Sequence, residues 1–146
     1  AEQITEMTIP SYTDKIEDEE VQAELLANLY PIFFSHPAME AAIYWNLVDG
    51  YAAFAPQGDM TAGENYYHGG LIRFDMTHKP AYDMMNELFR HRFRTEMEGE
   101  ADGQGCAAFR GFEGDYELTV EKNGHSVKVP FPLQRDGGEV EIRLED

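Results

Sequence analysis

At 146 residues the chain is long enough for one ordinary domain. With 42% hydrophobic and 12% aromatic residues it can fill a packed core, which excludes a disordered tail. A formal net charge of -17 argues against a nucleic-acid partner, which needs a basic surface, and leaves a neutral polymer compatible.

Cys106 is the only cysteine, so an internal disulfide and a cysteine metal cluster are excluded. Beside Ala107 and Ala108 it reads as a small buried hydrophobe. No apolar run approaches the roughly 20 residues that cross a bilayer, so no membrane partner is expected. The histidines show no metal-ligand spacing and there is no glycine-rich phosphate loop, so neither metal nor cofactor is expected.

The chain opens inside a strand pattern, Ile4 to Ile9 (I-T-E-M-T-I), with one carboxylate, Glu6, set into it. A charge in a strand is costly to bury unless it is paired or used. The segment reads as an edge carboxylate or as a catalytic one, and the chain as a piece of an enzyme cut just upstream. A helix is expected from Asp18 to Ser35, because Val21, Leu25, Leu29 and Phe33 form one apolar stripe. Pro31 falls inside it as a kink or a stop.

Ala41 to Asp49 (A-A-I-Y-W-N-L-V-D) is a near-continuous apolar run, the signature of a parallel strand buried on both faces. Gly50 to Gly70 is a long loop rich in glycine and aromatics, and loops of that length are usually functional. Leu71 to Asp75 is a short extended piece. A last helix should start at Pro80, where a proline costs nothing, and bury Tyr82, Met85, Leu88, Phe89 and Phe93 before ending near Thr95.

From Glu96 to Gly105 the chain turns acidic and glycine-rich, as a linker does. Tyr116, Leu118 and Val120 then alternate with polar residues, and Asn123-Gly124 is a hairpin signal. Val127, Val129 and Phe131 follow, then Val140, Ile142 and Leu144. This predicts a small antiparallel β unit of three or four strands. The organisation expected is residues 1–95 as an incomplete α/β layer and 96–146 as linker and β subdomain.

The segment I-T-E-M-T-I resembles the nucleophile strand of glycoside hydrolase family 10, the endo-β-1,4-xylanases, whose pattern is I-T-E-L-D. H-P-A-M-E-A-A-I-Y-W-N-L-V-D-G-Y is similar to that family's last barrel strand, and G-G-L-I-R-F-D-M-T-H-K-P-A-Y to its closing segment. The resemblance spans about Ile4 to Thr95. It implies the last two βα units, strands seven and eight, of a truncated (β/α)8 TIM barrel, with the N-terminal part of the barrel missing.

The resemblance further implies a fragment of a retaining endo-xylanase that hydrolyses xylan or a related β-glycan by double displacement. Glu6 would be the nucleophile. The acid/base glutamate, in a W-D-V-x-N-E type motif, does not occur in the chain, so the isolated fragment would be inactive. Trp45 would stack on the sugar, with Phe54, Tyr51 and Asp49 as further substrate-site residues. Asn46 stands where the family has glycine, and Phe54 is the nearest aromatic to the family's second Trp. An extracellular or periplasmic location follows from such a role. The alternatives are a noncatalytic carbohydrate-binding or structural unit, or a related β-glycanase.

Overall fold

The computed structural model describes residues 1–144, and the last two residues of the expected β unit lie outside them. The chain divides into two compact units, Ala1–Phe93 and Arg94–Asp146.

In the first unit, strand β1 (Glu2–Met7) leads to helix α1 (Ile16–Ser35) and then to strand β2 (Met39–Tyr44). The two strands pair in parallel, with Gln3 opposite Ala41, Ile4 opposite Ala42 and Met7 opposite Tyr44. Parallel neighbours need a crossover, and α1 supplies it. The pairing runs one step further, where the Trp45 amide donates to the Met7 carbonyl at 2.8 Å. At Asn46 the backbone turns left-handed (φ 66°) and β2 is over.

A short 3-10 turn, Gly63–Tyr67, sits within the long loop. Helix α2 (Pro80–Glu87) follows, starting on its proline, and continues as a π-turn over Leu88–Arg92. Leu26, Tyr30, Leu71, Ala81, Met85 and Leu88 are buried together between α1 and α2, with Ala42 and Tyr44 of β2 against them.

Several expectations change here. The unit is a small α+β fold with one two-stranded sheet, not the last two βα units of a TIM barrel. The expected strand over Ala41–Asp49 shortens to Met39–Tyr44. Helices cover one face of this sheet, so Ile43 and Leu47 stay exposed where burial on both faces was expected. The piece Leu71–Asp75 forms only isolated bridges, from Ile72 to Val48 and to His78. Its strand is broken by a turn in which the Asp75 carboxylate accepts the Thr77 amide (2.9 Å) and hydroxyl (2.6 Å).

The buried side of α1 also differs. It carries Glu19, Gln22, Ala23, Leu26 and Tyr30, while Val21 and Leu25 face solvent. Two polar residues stand in the inward row, and an apolar-periodicity argument cannot count them. The helix runs through Pro31.

In the second unit, β3 (Gly114–Lys122) and β4 (His125–Leu133) form an antiparallel hairpin across Asn123-Gly124. Both turn residues have positive φ (52° and 84°), as a two-residue hairpin turn requires. Tyr116 faces Phe131, Leu118 faces Val129 and Val120 faces Val127, with Phe109 packed on Tyr116 and Phe131. Among the described residues Val140, Ile142 and Leu144 form no strand, and the β unit shows two strands where three or four were expected. Cys106 is exposed, not buried. It lies in a turn where the Asp102 carboxylate accepts its amide at 2.9 Å, which holds that carboxyl below its ordinary range.

Candidate functional site

The charges of the first unit separate into a buried set and an exposed set. Asp49 closes the segment after β2, and Lys79 stands immediately before α2. The Lys79 ammonium lies 2.6 Å from Asp49 Oδ2, with the lysine side chain fully buried. The ammonium also donates to the His68 carbonyl at 2.8 Å, and Asp49 Oδ1 accepts the Gly70 amide at 2.7 Å. A side chain at Gly70 would strike the Asp49 backbone nitrogen and come within 2.8 Å of Asp49 Oδ1, so this close approach requires glycine.

Beside this pair, Gln22 of α1 donates to the Ile9 carbonyl (2.7 Å) and the Gly70 carbonyl (3.2 Å). The Tyr44 hydroxyl donates to the Gly69 carbonyl at 2.8 Å, and burial pushes its pKa up to about 12. Glu19, also fully buried, takes a two-pronged pairing from Arg73, with Nε at 2.9 Å from Oε1 and a terminal nitrogen on Oε2. That hydrogen bonding holds the Arg73 guanidinium above its ordinary value. These groups tie the long loop to the helices.

The exposed set is aromatic. Trp45 is 40% exposed, and its indole N–H donates to Glu64 Oε2 at 3.0 Å. The Asn46 side chain donates to the same oxygen at 2.8 Å. Glu64 belongs to the 3-10 turn that carries Tyr66 and Tyr67, whose rings lie 6.0 Å apart, with Tyr12 6.1 Å from Tyr67. An open groove beside them is lined by Asn46, Leu47, Val48, Tyr51 and Met76. Asn65, buried beneath, accepts the Ala52 amide and donates to the Pro56 and Asp59 carbonyls, which fixes the loop shape.

Of the residues singled out from sequence, Tyr51 lines this groove, and Trp45 adjoins it through Asn46, its neighbour on the same Glu64 oxygen. Phe54 is fully exposed in a turn with φ 63°, and no ring contact holds it among the described residues. Asp49 is buried against Lys79. Glu6 is exposed on β1, and its carboxylate forms no hydrogen bond or ion pair among the described residues. Sequence reasoning missed Lys79, Gln22 and Glu64. Lys79 stands in the K-P-A-Y segment, where the pattern marks only a helix start, and no pattern flags the other two. Among the described residues no group of three or more His, Cys, Asp or Glu is placed to hold a metal ion.

No protein-family model matches the chain. Over 135 residues it is 32% identical to the anti-sigma-I factor RsgI6 of Acetivibrio thermocellus. The match takes in 89% of this chain and 15% of that protein, so the chain spans a small part of its relative's length. The relative is named for regulation, and the glycoside hydrolase family 10 reading is corrected on that finding, together with the small α+β fold. The expectations of a xylanase fragment, of an enzyme and of xylan or a related β-glycan as partner are withdrawn with it. A carbohydrate-binding unit and a related β-glycanase gain no support from the match. The partner that the relative's name carries is a sigma factor.

Proposed function

We propose that this chain is a segment of a regulator of the anti-sigma-factor kind, and that it supplies a recognition surface within it. The observation that carries this reading is the 32% identity over 135 residues to an anti-sigma-I factor. The division of polar groups supports it. The buried charges are spent on each other, Asp49 on Lys79 and Glu19 on Arg73, while aromatic side chains stand exposed around Glu64. Exposed apolar groups in a contiguous patch mark an interaction surface.

In this reading a sigma factor is the partner of the whole regulator. Occupancy of the segment changes how firmly the regulator holds that partner, through a difference in affinity between two states. Trp45, Tyr51 and Phe54 carry over as contact residues. The extracellular or periplasmic location is retained as part of the proposal, and protease treatment of intact cells checks it.

The test is a sigma-factor-dependent reporter in cells making the full-length regulator, compared with cells in which this segment is deleted or Trp45 and Tyr51 are both alanine. A several-fold change in reporter output at equal regulator level is expected. Unchanged output after deletion overturns the reading.

A further inference from the structure

Between Lys15 and Arg73 the sequence contains no lysine or arginine, and this stretch includes the whole aromatic loop. The segment that carries Trp45 and Glu64 therefore contributes aromatic rings and carboxylates to this face and no lysine or arginine. Its central carboxylate, Glu64, is exposed, and its Oε2 is held in place by the Trp45 indole and the Asn46 amide. Tyr66 and Tyr67 are exposed on the same turn. Such rings attract a cation through their electron-rich faces, and a fixed carboxylate beside them adds a charge-assisted hydrogen bond.

We propose that this face, Trp45, Tyr66, Tyr67 and Glu64 with the groove beside Tyr51, docks an arginine- or lysine-rich segment of a partner protein. Charge complementarity selects that occupant. The chain carries a net charge of -17, and an anionic surface speeds the approach of a basic partner and repels an acidic one. The aromatic rings then separate this face from the acidic surface elsewhere, because guanidinium groups stack on them as well as pairing with the acid. The inference deepens the recognition reading above by naming the chemistry of what is recognised.

Trp45 is the only tryptophan, so its fluorescence reports on this face alone. The test titrates the 146-residue chain with an arginine-rich peptide and with a glutamine-rich peptide of equal length. A saturable change in Trp45 emission with the arginine peptide only is expected, weakening as salt is raised. Glu64→Gln keeps an oxygen acceptor for the indole and should weaken binding several-fold. Tyr66→Ser should weaken it too, whereas Glu20→Gln, exposed on α1, should leave it unchanged. No emission change with the arginine peptide overturns the proposal. So does an equal loss from Glu20→Gln, which would mean diffuse attraction. A response to a neutral β-glucan oligosaccharide in place of the peptide overturns it in favour of a sugar. This binding measurement can fail while the reporter experiment succeeds, and the reverse, so the two readings are judged separately.

Discussion

Lys79 and Asp49 form a buried ion pair, 2.6 Å between ammonium and carboxylate, that joins the residue before α2 to the end of the segment following β2. The pair closes the long aromatic loop on itself, because Lys79 also holds the His68 carbonyl and Asp49 the Gly70 amide. Desolvating two charges offsets much of their attraction, so such a pair adds little net stability over an apolar substitute. Its effect here is positional: the loop carrying Tyr51, Glu64 and Tyr66 has both ends tied to one point.

Lys79→Met should therefore be strongly destabilising, by about 3–5 kcal/mol, since Asp49 would be left charged and buried without its partner. The double variant Lys79→Met with Asp49→Leu should recover part of that loss. Urea unfolding followed by circular dichroism measures both. A single variant as stable as the parent would show that the pair is open to solvent.

The inward row of α1 can be checked by two substitutions on adjacent residues. Leu26 is fully buried and Leu25 is exposed. Leu26→Ala should cost about 2–5 kcal/mol through lost burial and a residual cavity. Leu25→Ala should stay within roughly 0.5 kcal/mol of the parent. Thermal or denaturant unfolding of the two variants under identical conditions decides the matter, and the opposite order would rotate the helix.

Gly70→Ala should lower the melting temperature more than Gly103→Ala does. The new methyl at position 70 meets the Asp49 backbone nitrogen and carboxylate, while nothing lies within 4 Å of one at position 103. The loop would have to move away from Asp49, so Trp45 emission should shift as well. Scanning calorimetry and fluorescence on the same samples test both effects.

Tyr44 gives a pH signature. Burial raises its pKa to about 12, above the ordinary phenol value of 10.0. The folded state then keeps the proton while the unfolded state loses it, so this contribution is complete below about pH 10 and is lost as pH rises toward about 12. Tyr44→Phe should flatten that alkaline decline. It should also remove the hydroxyl's bond to the Gly69 carbonyl, at a cost of about 1 kcal/mol. Unfolding free energies measured between neutral and alkaline pH for both proteins check the slope.

Local patterns were legible without coordinates. Alternation plus Asn123-Gly124 marks the hairpin, because both signals act between neighbours in the chain. Pro80 opens α2 for the same kind of reason, since a first-turn proline loses no helical bond. The body of α1 was visible as a helix, and the exposed Trp45 and Tyr51 stood out by type and position.

What the chain's order of residues by itself determined, then, was the presence of the two helices, the first strand, the hairpin and a long loop rich in glycine and aromatics, each set by spacing or composition over a short stretch. Tertiary structure decided which side of α1 turns inward, since the buried charges of Glu19 and the amide of Gln22 are tolerable only where Arg73 and loop carbonyls reach them. It decided that Asp49 pairs with Lys79 rather than facing solvent, and that Glu64, unremarkable in sequence, fixes Trp45. It also decided that the apolar run after α1 is half exposed, because helices cover one face of a two-stranded sheet. These outcomes depend on partners far away along the chain, and no periodicity within a segment encodes the distance at which a charge finds its counter-charge.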